Sequence, residues 1–183
     1  MIHRSVGGPR SINAERNAVP DLRATLLASW RTNNRITILL IQQVPLKLWR
    51  APVPGAPRRT VCSIAAHLHN ARRSWIRTLG SEHGVTVPEG VDHRRVSRRD
   101  LAAALRKSGR CIAALLALGI TAGGQVPPSR RYVWRNLPLD VGHVLAYFVA
   151  HEAHHRGQIV MLARQLGHPL SRLEMGRLWW WRA

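Results

Sequence analysis

His151 and His155 stand four residues apart on the apolar stripe of an amphipathic pattern, and that spacing is the strongest chemical signal in the chain. The stripe runs through Val141, Val144, Leu145, Phe148, Ile159, Leu162, Ala163 and Leu166, and the two histidines fill its missing rungs. Side chains four apart on a helix lie one above the other, roughly 6 Å apart, so both rings can turn toward one point. Two buried imidazoles need either hydrogen-bond partners and depressed pKa values or a divalent cation that takes both lone pairs at once. The pair on one stripe favours the cation; two hydrogen-bonded core histidines are the alternative.

A third ligand comes from the stretch Thr60 to Leu79, read as a helix with an inward stripe of Ile64, Leu68, Ala71, Trp75 and Leu79. At about 100° per residue His67 falls within that stripe, whereas His69 points away and is assigned to solvent. Three neutral imidazoles from two helices leave coordination positions open, as catalytic rather than structural sites do.

The segments A-H-L-H-N-x-R-x-x-W (Ala66 to Trp75) and A-H-E-A-H-H-R-G-Q-I (Ala150 to Ile159) carry a family resemblance. From about Asp21 to Trp181 the chain resembles the DinB-like metal-binding four-helix bundles. The resemblance implies an all-α bundle of up-down-down-up order, with a histidine triad at one end that matches His67, His151 and His155. It also implies chemistry: some members of the superfamily are metal-dependent transferases of low-molecular-weight thiols or thiol-dependent isomerases, and many have no assigned substrate.

Around the histidines, Glu152 is a candidate catalytic base or ligand-orienting group, with a surface pair to Arg156 at i+4 as the competing reading. Gln158 returns to the stripe and is expected to hydrogen-bond a ligand histidine, or else to reach Asn33 or Asn34 on another helix; Asn34 is the second candidate for supporting the ligands from behind. Gly157 inside a helix suggests a close approach by a neighbour, and His143 and His154 read as surface or packing residues. His151 to His155 also satisfy the H-E-x-x-H pattern of zinc proteases, with Glu174 as a distant third ligand. Met161 stands where the extended metzincin pattern needs a histidine, and no confident strand is present to hold a peptide, so a protease is disfavoured.

Twenty-eight basic against nine acidic residues give 183 residues a net charge of +19, nearly all of it from arginine. Such a charge suits phosphates and carboxylates. The arginines are nevertheless spread along the chain (Arg58, Arg59, Arg72, Arg73, Arg94 to Arg99, Arg130, Arg131) without a nucleic-acid recognition motif, and most are read as solvated faces. Only non-specific, salt-sensitive nucleic-acid association is expected. Cys62 and Cys111 are too few for a disulfide framework and read as free cytosolic thiols; with no apolar span and no signal-like segment, a cytoplasmic protein without a membrane anchor is expected.

The positioning elements follow. Residues 1–20 read as a flexible basic arm, and residues 21–183 as a single bundle with a short aromatic tail. Asp21 caps a first helix that stops before Pro45, and Pro52, Pro54, Gly55 and Pro57 make a connection. The second helix carries His67, and Gly80 to Val96 forms a long crossover. Ser97 to about Leu118 is a structural third helix without ligands, Gly119 to Pro138 is a Gly/Pro-rich connection, and Asp140 caps the fourth helix. Tyr132 and Trp134 in that connection, and Trp180 in the tail Leu178 to Trp181, are candidates for the rim of a substrate pocket; the tail also suggests a homodimer contact.

A cation held by three neutral ligands keeps its full charge and favours hydroxide or thiolate as a fourth ligand. The expectation is therefore a divalent-metal protein, with zinc or nickel ahead of iron or manganese, that acts as a transferase with a low-molecular-weight thiol and an electrophilic co-substrate. A metal-hydroxide hydrolase and a non-catalytic or stress-associated bundle are the alternatives.

Overall fold

The computed structural model describes residues 21–181, so the expected basic arm at 1–20 lies outside the described residues. Four long helices dominate: α1 (Leu22–Gln43), α3 (Val61–Leu79), α4 (Arg98–Thr121) and α5 (Val141–Gln165), with short helices α2 (Leu46–Trp49) and α6 (Arg172–Leu178). α1 and α3 each pack against both α4 and α5, so α1 and α3, consecutive among the long helices, stand across the bundle from each other. The crossover from Gly80 to Ser97, opened by a single 3-10 turn at Ser81–His83, makes this order possible. No helix among the described residues is long and apolar enough to cross a membrane.

Local chemistry sets the helix limits. Asp21, Thr60, Ser97, Asp140 and Ser171 each accept a backbone N–H of the first turn that follows, satisfying donors that have no partner within the helix. At the far end of α5, Gly167 takes φ +77°, His168 N–H donates to Ala163 and Gly167 N–H to Arg164, the paired bonds of a Schellman stop. The first connection is not a plain loop. Pro52–Val53 (β1) and Ala56–Thr60 (β2) pair antiparallel around Pro54 and Gly55, whose φ of +75° suits a Pro-Gly turn. The prolines obscured this hairpin, since they lower strand propensity.

The core divides into two apolar clusters. One, including Ile38, Leu40, Ile64, Leu68, Leu105 and Ile159, lies toward the hairpin. The other, including Trp30, Ile76, Ile112, Leu115, Val144 and Phe148, lies toward the 119–140 connection. Between them runs a buried polar layer of Asn33 and Thr37 from α1, His69 and Arg72 from α3, Ser108 from α4 and Glu152 from α5. All four long helices are tied together at that level.

Candidate metal centre

His67 lies mid-way along α3, and His151 and His155 mid-way along α5, where these two helices pack together. The triad adjoins the polar layer, with His151 and His155 on either side of Glu152 in sequence. His67 Nε2 lies 3.2 Å from His151 Nε2, and one ring nitrogen from each of the three histidines falls within 4.8 Å of the others. Two nitrogens bound tetrahedrally to zinc at about 2.0–2.1 Å stand about 3.3 Å apart, so the spacing is that of ligand atoms as well as of an N–H···N hydrogen bond. His155 is buried, His151 half-buried and His67 exposed, which leaves the site open on one side.

The surroundings keep the rings neutral. Burial pushes His151 down to about 4, aided by His155 and His67. Burial likewise lowers His67, aided by His155 and Arg59, and lowers His155 against the opposing pull of its bond to Gln158. At neutral pH each imidazole offers a lone pair, the form a divalent cation needs. His155 Nδ1 donates to Gln158 Oε1 at 2.9 Å, leaving its Nε2 free, and the Gln158 amide donates to His154 Nε2 at 2.9 Å. Tyr147, one turn before His151, stacks on its ring at a centroid distance of 5.9 Å, and the Tyr147 hydroxyl accepts the Trp75 indole N–H at 2.9 Å. A cleft of about 330 Å³ opens over the histidines, lined by Arg59, Ser63, Ile64, His67, Asn70, His93 and His155.

Glu152 sits between the two α5 histidines in sequence and faces the core. Arg72 Nε and Nη2 donate to its two oxygens at 2.6 and 2.8 Å, and Asn33 Nδ2 and Thr37 Oγ1 add bonds at 2.9 and 2.8 Å. Arg72 also donates to Asn34 Oδ1 and the Leu105 carbonyl, and its guanidinium lies 4.9 Å from the Trp30 ring centroid. Removing either partner of such a buried ion pair would leave an uncompensated charge in the core.

The family model of the DinB family matches residues 15–182. The chain belongs to the DinB family. No curated protein matches it.

Within this DinB-family chain the structure brings His67, His151, His155 and Gln158 together. Asn34 is elsewhere, bonded to Arg72 and not to a histidine. Trp134 and Trp180 are exposed and line no part of the histidine cleft; the Trp180 carbonyl instead accepts from Arg35 on α1. Tyr132 is buried against Trp75, one ring removed from Tyr147. Glu174, the distant ligand of the protease reading, caps α6 through Ser171.

Four expectations are corrected. His69 is buried, between Ser108 Oγ at 3.1 Å and the Glu89 carbonyl at 2.7 Å, not solvated. Arg72 is buried rather than part of a solvated face, and it explains the error: the inward line of α3 runs through Ala65, Leu68, Arg72, Ile76 and Leu79, and a charged residue at its centre shifts the apparent stripe. Glu152 is not on the surface, although Arg156 does approach it at 3.7 Å. The close approach expected at Gly157 is absent and occurs at Gly109, where a Cβ would fall 2.5 Å from Asn34 Oδ1.

Sequence reasoning missed Tyr147, Arg59 and His93. Tyr147 was legible as the residue one turn before His151 on the same helix face. Arg59 and His93 come from the hairpin and the crossover, and only the tertiary fold brings them to the cleft.

Proposed function

We propose that the protein binds a divalent metal through His67, His151 and His155 and transfers a low-molecular-weight thiol to an electrophile. The observation that carries this reading is the convergence of three neutral imidazoles, and no other group of His, Cys, Asp or Glu among the described residues is placed to hold a metal. Three nitrogen donors fit zinc or nickel, and also iron or manganese. When bound, such a cation would lower the pKa of a thiol at its open position and present sulfur as a nucleophile at neutral pH.

The chain's residues supply the rest. Gln158 orients His155, Tyr147 buttresses the His151 ring, and Arg59 places a positive charge beside the cleft for the carboxylates that small thiols carry. The new sulfur–carbon bond forms as the leaving group departs with its electron pair and the thiol proton passes to solvent. No carboxylate lines the cleft and Glu152 is saturated in the core, so no carboxylate is placed to act as a base; a metal-hydroxide hydrolase at the same three histidines is the alternative reading. The long connection from Gly80 to Ser97 between α3 and α4 supports the up-down-down-up order, and the exposed Trp179, Trp180 and Trp181 support a homodimer contact.

The test is conjugation of cysteine or glutathione to monochlorobimane by protein reloaded with zinc or nickel. A metal-dependent rate that falls at least about tenfold in His155→Ala is expected. Equal rates with and without metal would remove the transferase reading.

A further inference from the structure

Ser63 walls off the histidine cleft from a second cleft of about 410 Å³, lined also by Arg50, Arg58, Thr60 and Arg94. We propose that this second cleft is an anion subsite that takes a phosphate group, and that the co-substrate is a phosphate monoester whose reactive end reaches the histidines. Its place in the reaction rests on the transferase reading above; the subsite itself does not.

The same two segments build both clefts. Arg58 and Arg59 are neighbours on β2, and side chains alternate along a strand, so Arg58 and Thr60 serve one cleft and Arg59 the other. In the crossover, His93 lines the histidine cleft and Arg94 the arginine cleft. Ser63 and His67 are one turn apart on α3, about 6 Å along its axis. A small ligand therefore spans the two.

The charge is unopposed. No acidic side chain lines either cleft, and among the described residues neither Arg58 nor Arg94 forms an ion pair. The nearby Asp92 accepts the Arg94 backbone N–H at 2.7 Å and faces Arg95 at 4.0 Å. Arg50 donates to the Arg94 carbonyl and, at 3.1 Å, to the Arg95 carbonyl, which ties this part of the crossover to the end of α2. Thr60 Oγ1 accepts the Ser63 N–H at 3.1 Å and keeps its own proton to donate.

Three guanidinium groups distinguish the anion. One planar fork saturates a carboxylate's two oxygens, whereas a phosphate monoester offers three terminal oxygens and close to two negative charges to the open forks of Arg58 and Arg94 and to the charge of Arg50, whose Nη1 and Nη2 already donate to the Arg94 and Arg95 carbonyls. Arginine in all three places suits that geometry better than a diffuse positive face.

The test is calorimetric titration of full-length, metal-stripped protein, so that its outcome does not depend on the metal reading. Inorganic phosphate, phenyl phosphate and citrate are titrated into wild type, the Arg58→Gln/Arg94→Gln double variant, and Arg106→Gln, an exposed α4 residue lining neither cleft. One saturable phosphate site is expected, with phenyl phosphate bound at least as tightly, weakened at least about tenfold in the double variant and unchanged in Arg106→Gln. Circular dichroism of each variant should match wild type, since these side chains are exposed. No saturable site, or equal weakening by Arg106→Gln, would overturn the subsite. Tighter citrate than phosphate, or exclusion of phenyl phosphate, would overturn the assignment of a monoester. Intact phosphate binding alongside failed thiol transfer would retain the subsite and reject the transferase.

Discussion

Glu152 shows how much of this protein's organisation rests on single residues. Its carboxylate is 0% exposed and receives hydrogen bonds from Arg72, Asn33 and Thr37, so it anchors α5 to α1 and α3 between the two α5 histidines. Glu152→Ala leaves the Arg72 guanidinium buried without its partner, and a loss of about 3–5 kcal/mol is expected from denaturant unfolding. An unchanged midpoint would show that the layer does not hold the fold. At this scale the sequence was half legible. His151 and His155 stood out because imidazoles on an apolar stripe are anomalous, and His67 because the helical wheel placed it on the inward stripe of its helix, although the structure leaves its ring exposed. Arg72 and Glu152 did not stand out, because a buried ion pair has the same residue types as a solvated one, and only the facing helices distinguish them.

The helices bring these residues into register through one close contact. Gly109 on α4 lets Asn34 on α1 approach, Asn34 accepts from Arg72, and Trp30 Nε1 donates to the Gly109 carbonyl at 2.8 Å. Gly109→Ala places a methyl 2.5 Å from the Asn34 side chain, and although alanine is the better helix former, a net loss of about 1–3 kcal/mol is expected from overpacking, read as a lowered melting temperature. A raised melting temperature would mean that Asn34 moves freely and the layer is loosely built. Helix existence and caps were legible because Asp21, Ser97 and Asp140 are strong N-terminal signals followed by regular apolar repeats. The hairpin and α6 were not: the first is rich in proline, and the second is a short segment that relies on its Ser171–Glu174 capping box and on packing Leu178.

For the whole molecule, the charge of +19 is partly put to structural use. Arg35 donates to the Trp180 carbonyl, Arg50 to the Arg94 and Arg95 carbonyls, Arg73 to Pro88 at 3.0 Å, and Arg98 to Gln42 at 3.1 Å and to Val44. These arginines fasten connections to helix ends, which composition alone could not reveal. Nucleic-acid association should therefore be sequence-independent and fall steeply between about 50 and 200 mM salt in a filter-binding assay. Sequence discrimination that survives the higher salt would point to a recognition function instead.

The central claim, that three histidines from α3 and α5 hold one divalent ion, is met most directly by elemental analysis of protein purified without an affinity tag. Wild type is compared with His67→Ala and His155→Ala, and with His69→Ala, whose ring is buried beside Ser108 outside the triad. About one metal per chain is expected in wild type and in His69→Ala, and less than about a tenth of that in the other two variants. No metal in wild type, or full metal in His67→Ala and His155→Ala, would contradict it.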